Sequence, residues 1–169
     1  MLKITSRLLI AFSSLALFMS CDSNTIYTEF ASVDGSWNKQ DTLAFDFAAP
    51  DTTEVYNMYV NLRNNEEYAY SNLYLIVALN YPDGKVDSDT LLYEMAKPNG
   101  EWLGKGFSSI KESKLWYKGY DEPFTFSQSG DYTVEVTHAM RNNGSINGVI
   151  DLKGITDVGV SVEKANQTN

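Results

Sequence analysis

A single cysteine, Cys21, and a single histidine, His138, stand in a chain of 169 residues. That scarcity excludes several chemistries together. A zinc centre takes three or four nitrogen or sulfur ligands, and two such residues cannot supply them. Nucleophilic catalysis needs a base beside its nucleophile. His138 lies in register with Tyr132, Val134 and Val136, where a packed or rim histidine is the expectation rather than a base. A lone cysteine forms no intrachain disulfide, so the domain must hold through its core. Positive charge is also scarce, with 13 Lys and Arg against 22 Asp and Glu and a formal charge of −9. Such a surface does not seek nucleic acid or anionic lipid by charge. No glycine-rich phosphate loop occurs, and the expectation is a non-enzyme with no cofactor and no metal.

What the chain does have begins at its N-terminus. Lys3 and Arg7 precede a mostly apolar run, Leu8 to Met19, that stops at Ser20-Cys21. The run is shorter than the about 20 residues of a membrane-spanning helix, and residues 1–20 read as a cleaved secretory signal peptide. A cysteine directly after such a core is the arrangement of a bacterial lipoprotein signal, with the Cys21 thiol carrying diacylglycerol. Loss of Lys3 and Arg7 takes the formal charge from −9 to −11. Residues 21–25 then form a lipidated N-terminus and short tether, 26–163 the domain, and 164–169 a disordered tail.

Along the domain the dominant signal is alternation with period two. Leu43, Phe45 and Phe47 alternate with polar or small residues, as do Tyr56, Met58, Val60 and Leu62. Leu73 to Leu79 is apolar on both faces, which predicts a central strand buried on both sides. Pro82-Asp83-Gly84 supplies a turn into Val86–Met95. Phe124 and Phe126 alternate, and Tyr132 to His138 and Asp157 to Glu163 read as further strands, with turn signals at Ser129–Asp131 and Asn142–Gly148. About eight to nine strands and no amphipathic helix predict an all-β fold, a single antiparallel β-sandwich of jelly-roll or immunoglobulin-like type. Gly130-Asp131-Tyr132 fits a tyrosine corner, although a plain core or surface tyrosine fits equally well.

Three features compete for function. Asp83, Asp87 and Asp89 are paired carboxylates able to hold calcium, set against the simpler reading of solvated strand-face charge. The segment from Met95 to Phe124 breaks the alternation and combines aromatics with Lys97, Lys105, Lys111, Lys114 and Lys118. Trp102, Lys105, Phe107, Lys111, Lys114, Trp116 and Tyr117 form its candidate partner-binding surface, since aromatics beside charge dominate interface energetics. Its alternative is a cap over one end of the sandwich with solvated lysines. Trp37, Trp102 and Trp116 support a second function, a jelly-roll carbohydrate-binding module, against the commoner fate of tryptophan, which is burial.

Whole phrases then match a known family. "SCDSNTIYTEF", "WNKQDTLAFDF", "NMYVNLRNNEEYAYSNLYLIV", "DTLLYEMAKPNGEWLGKGF", "KLWYK" and "GITDVGVSVE" resemble the gliding motility lipoprotein GldH family of the Bacteroidota. The match runs from about Cys21 to Glu163, and the block ending at Phe107 is its most specific part. The resemblance implies a non-catalytic envelope lipoprotein acylated at Cys21. It would support assembly or stability of the gliding machinery and the associated type IX secretion system. Its expected partners are other envelope lipoproteins and membrane components of that machinery, and the bilayer through the acyl chains. The weak acidic run after Cys21 favours an outer-membrane anchor with the domain facing the periplasm. The lineage also implies O-glycosylation at Asp-Thr-containing triplets, with Thr42, Thr52 and Thr90 as acceptors.

Overall fold

A computed structural model describes residues 24–106 and 108–165. Ten strands follow in order: β1 (Thr25–Ser32), β2 (Ser36–Asn38), β3 (Leu43–Ala48), β4 (Tyr56–Asn64), β5 (Asn72–Asn80), β6 (Val86–Glu94), β7 (Lys111–Lys118), β8 (Asp131–His138), β9 (Asp151–Lys153) and β10 (Ile155–Lys164). Eight of them build two antiparallel four-stranded sheets, ordered β1-β10-β4-β7 and β3-β8-β5-β6, while β2 and β9 pair as a short ribbon. The pairing is nested: β1 with β10, β3 with β8, β4 with β7, and β5 with β6. One long hairpin folded over on itself gives this order, which is the winding of a jelly roll.

Alternation makes the core. Phe45, Phe47, Met58, Val60, Leu62, Leu73, Leu75, Val77, Leu79, Val134, Val136, Val158, Val160 and Val162 all point between the sheets. The tyrosine corner is present: the Tyr132 hydroxyl donates to the Gln128 carbonyl at 3.0 Å, four residues upstream. The hairpin at Pro82-Asp83-Gly84 closes with Tyr81 N–H on Lys85 O and Gly84 N–H on Tyr81 O, and Gly84 takes φ of 85°.

Four expectations change. β5 is central in its sheet, yet only one face is covered; Tyr74 and Ile76 lie open on the other. β4 is instead buried on both faces, because Trp116, Lys114 and Arg63 lie over its outer side. The segment from Met95 to Phe124 is not irregular throughout, since β7 runs through it with Ser113, Leu115 and Tyr117 inward. Phe124 and Phe126 form no strand; Phe124 makes one bridge to Tyr56, and Phe126 is packed among Phe47, Tyr56 and Tyr132. At the C-terminal side Lys164 belongs to β10, and Ala165 N–H donates to Val55 O. Cys21 and residues 166–169 lie outside the described residues.

Strand direction sorts the connections into two ends. Asn24 and Ala165, with the loops 49–55, 81–85 and 119–130, lie at one end. The opposite end carries the β2–β9 ribbon and the loops 65–71, 95–110 and 139–150.

Candidate functional site

The outer face of the β5–β6 hairpin leaves several large apolar side chains without cover by the chain. Tyr74 stands opposite Leu92, and Ile76 opposite Thr90 and Thr137. Leu92 is 55% exposed, Ile76 39% and Tyr74 37%. Tyr74, Ile76, Thr90, Ala139 and Arg141 line a cleft of about 450 Å³. Beside it, Lys39, Ile76, Arg141 and Val149 border a smaller one. Neither Arg141 nor Lys39 forms an ion pair among the described residues. An apolar strip edged by free cations is thus ready for an apolar segment carrying a carboxylate.

The other sheet's outer face is occupied by its own side chains. Lys114 Nζ lies 4.2 Å from the Tyr59 ring centroid and 2.6 Å from Glu163. Arg63 stacks on Phe30 at 4.2 Å while pairing with Glu112 at 2.8 Å. Asn61 donates to Ser161 Oγ at 2.9 Å beneath them. These contacts occupy the middle of that face, while Trp116 and Ile26 stay 37% and 41% exposed nearer its edges.

The residues of the candidate basic aromatic surface therefore separate. Tyr117 turns into the core, where burial raises its hydroxyl pKa far above the usual phenol range. Trp116 packs between Tyr59 and Tyr120, and Lys114 is committed to Glu163. Lys111 Nζ donates to Gly106 O at 2.7 Å. Trp102 is half-buried against Tyr68 near the opposite end. Lys105 stays exposed and lines a crevice with Glu94, Leu103 and Leu115 at the far side of β6. Phe107 lies outside the described residues.

Of the tryptophans considered for sugar stacking, Trp37 is fully buried, donates Nε1–H to Asp41 O at 3.0 Å and meets His138 edge-on. His138 is buried with Nε2 3.1 Å from Trp37 O, and burial lowers its pKa from the ordinary 6.5. The carboxylates have separate duties. Asp87 accepts from the Tyr81 hydroxyl at 2.7 Å, which with Lys85 holds its pKa below the usual range. Asp89 pairs with Lys118 at 2.6 Å, and Asp83 accepts Lys85 N–H at 3.0 Å. Among the described residues no three His, Cys, Asp or Glu side chains group to hold a metal. Thr42 and Thr52 are exposed, and Thr90 sits on the rim of the β5–β6 cleft.

Sequence reading passed over Tyr74, Ile76, Leu92 and Arg141. The apolar signal of β5 was present, but burial by the chain and exposure to a partner leave the same pattern in a sequence.

Fold and surface together define a jelly-roll domain with one uncovered apolar sheet face. The family model for the GldH lipoprotein matches residues 25–162, and the chain belongs to that family. It is 49% identical over 153 residues to a gliding motility lipoprotein GldH homolog of Christiangramia forsetii, spanning 90% of this chain and 92% of that one. To the gliding motility lipoprotein GldH of Flavobacterium johnsoniae it is 45% identical over 148 residues, spanning 88% and 90%. The chain is a gliding motility lipoprotein, lipid-anchored in the cell envelope. Among solved structures, a GH115 4-O-methyl-α-glucuronidase, BtGH115A, is similar with a TM-score of 0.46 at 14% identity, over 88% of this chain and 19% of that one. The VP2 subviral particle of infectious bursal disease virus gives 0.39 at 16% identity, over 88% and 36%. Likeness at this level carries no functional argument.

Proposed function

We propose that this protein is a non-catalytic envelope subunit that holds a partner of the gliding machinery on the outer face of β5–β6. That role would support assembly or stability of the machinery and of the associated type IX secretion system. Its anchor is an acylated Cys21, in the outer membrane with the domain toward the periplasm. The observation that carries the docking role is the Tyr74–Ile76–Leu92 strip with unpaired Arg141 and Lys39 at its edge. The occupant that fits is a protein segment with apolar side chains and at least one carboxylate, because Arg141 and Lys39 form no ion pair among the described residues. Leu103 and Lys105 line a separate crevice with Glu94 and the β7 residues Glu112 to Leu115. A sugar attached at Thr90 would stand in the cleft and compete with the partner.

Ile76→Glu combined with Leu92→Glu tests the reading. Both side chains are exposed, so the expected stability change is within about 0.5 kcal/mol each. Circular dichroism should be unchanged, while recovery of envelope partners after crosslinking should fall at least about tenfold, or about 1.4 kcal/mol of binding. Full recovery with a folded variant would reject this face as the docking site.

A further inference from the structure

The position of the anchor relative to the two ends has a geometric consequence that rests on acylation at Cys21. Only Asp22 and Ser23 lie between Cys21 and Asn24, whose carbonyl accepts Lys164 N–H at 2.9 Å at the start of β1. Three Cα–Cα steps reach at most about 11 Å. The end that carries Asn24 is therefore held against the headgroup layer, and the other end stands about 30 Å further out, the length of a ten-residue strand.

That inner end has the side chains for such contact. Tyr120 is 71% exposed, and its ring centroid is 5.3 Å from that of Trp116. With Val55, Asn57, Gly119, Pro123 and Ala165 the pair lines an open cavity of about 310 Å³. Gly119 fixes the approach: its φ is 92°, and an added Cβ would meet Tyr56 O at 2.6 Å. Tryptophan and tyrosine favour the headgroup level of bilayers, where an apolar ring and a polar tip are both accommodated. Charge selects the lipid. Asp121 and Glu122 line the cavity with the pair, and Asp51 and Glu54 lie on the 49–55 loop at the same end, with Lys164 3.8 Å from Glu54. Excess carboxylate repels anionic lipid and suits an ammonium-bearing headgroup over the rings.

We infer that the loops 49–55 and 119–124 form a membrane-docking end, in which Tyr120 and Trp116 rest among zwitterionic headgroups. The β2–β9 ribbon and the 95–110 segment then face away from the membrane. The β5–β6 docking face stands upright, perpendicular to the bilayer, where a partner in the same compartment can reach it.

The test uses the processed lipoprotein in phosphatidylcholine vesicles containing a nitroxide on the headgroup. Tyr120→Trp and Ile146→Trp place an added fluorophore at the inner and outer ends; Ile146 is 89% exposed. The added emission at 120 should be quenched at least about twofold, and that at 146 not at all, since nitroxide contact quenching acts far below a strand length. Replacing half the lipid by phosphatidylglycerol at low salt should weaken the quenching at 120. Quenching at 146, or at neither site in a protein that is acylated by mass and floats with vesicles, would overturn the orientation alone. Stronger quenching with phosphatidylglycerol would overturn the headgroup assignment. A processed protein that by mass carries no acyl chain on Cys21 would overturn the anchoring reading, and the orientation with it.

Discussion

His138 shows how one residue can invite a catalytic reading and serve packing. Its ring is enclosed between Trp37 and the 139–150 loop, and burial lowers its pKa below 6.5. Asp151 opposes that shift and Lys39 adds to it. The linkage has a definite sign. The unfolded chain binds the proton first, so the stability contributed by neutral His138 is complete above about pH 6.5 and declines as pH falls below it. Denaturant midpoints at about pH 7.5 and about pH 5.5 should separate more for the wild type than for His138→Gln. Equal separation would remove His138 from the acid response. For Tyr132 the sequence left a tyrosine corner and a plain core or surface tyrosine equally open, and the structure decides between them. Its hydroxyl donates to the Gln128 carbonyl, the bond of a tyrosine corner.

At the scale of elements, strands were readable where the two faces differ in polarity. β3 and β8 have that contrast, and their inward residues are the ones alternation selects. β7 does not. Its inward row contains Ser113 and its outward row contains Trp116, so the polarity contrast between its two faces is weak. The lysines that made this stretch resemble a binding loop are in part structural. Lys114 reaches across β4 to Glu163, with exposures of 45% and 16%. Lys114→Glu should lower stability by about 1 kcal/mol at low salt, because a partly buried pair is replaced by like charges. The loss should shrink in about 1 M salt, where the Debye length is about 3 Å. A variant as stable as the wild type at low salt would show that the pair contributes nothing. β5 failed in the opposite sense: its apolar outer row was present in the sequence, but nothing local to the strand says whether the chain itself covers it.

On the scale of the whole molecule, the nested pairing of first strand with last brings Asn24 and Ala165 to one end and leaves the elaborated loops at the other. That long-range closure is not written in any local pattern, which is why jelly-roll and immunoglobulin-like windings were equivalent from the sequence. With acylation at Cys21 as proposed, it would also give the N-terminal anchor a directional effect. A domain anchored at one end presents its flank, not its tip, to neighbours in the same membrane. The uncovered β5–β6 face lies on that flank. Family membership places the chain in gliding motility, and the physical reading adds where on its surface a partner can be held. The measurement that bears on this most directly is photo-crosslinking in living cells, with the photoreactive residue placed singly at Ile76, at Lys153 and at Tyr120 of the full-length lipoprotein. A discrete protein adduct at position 76, lost with Arg141→Glu, and none at positions 153 and 120, is the predicted result. No adduct at 76, or the same adduct at all three positions, would contradict the account.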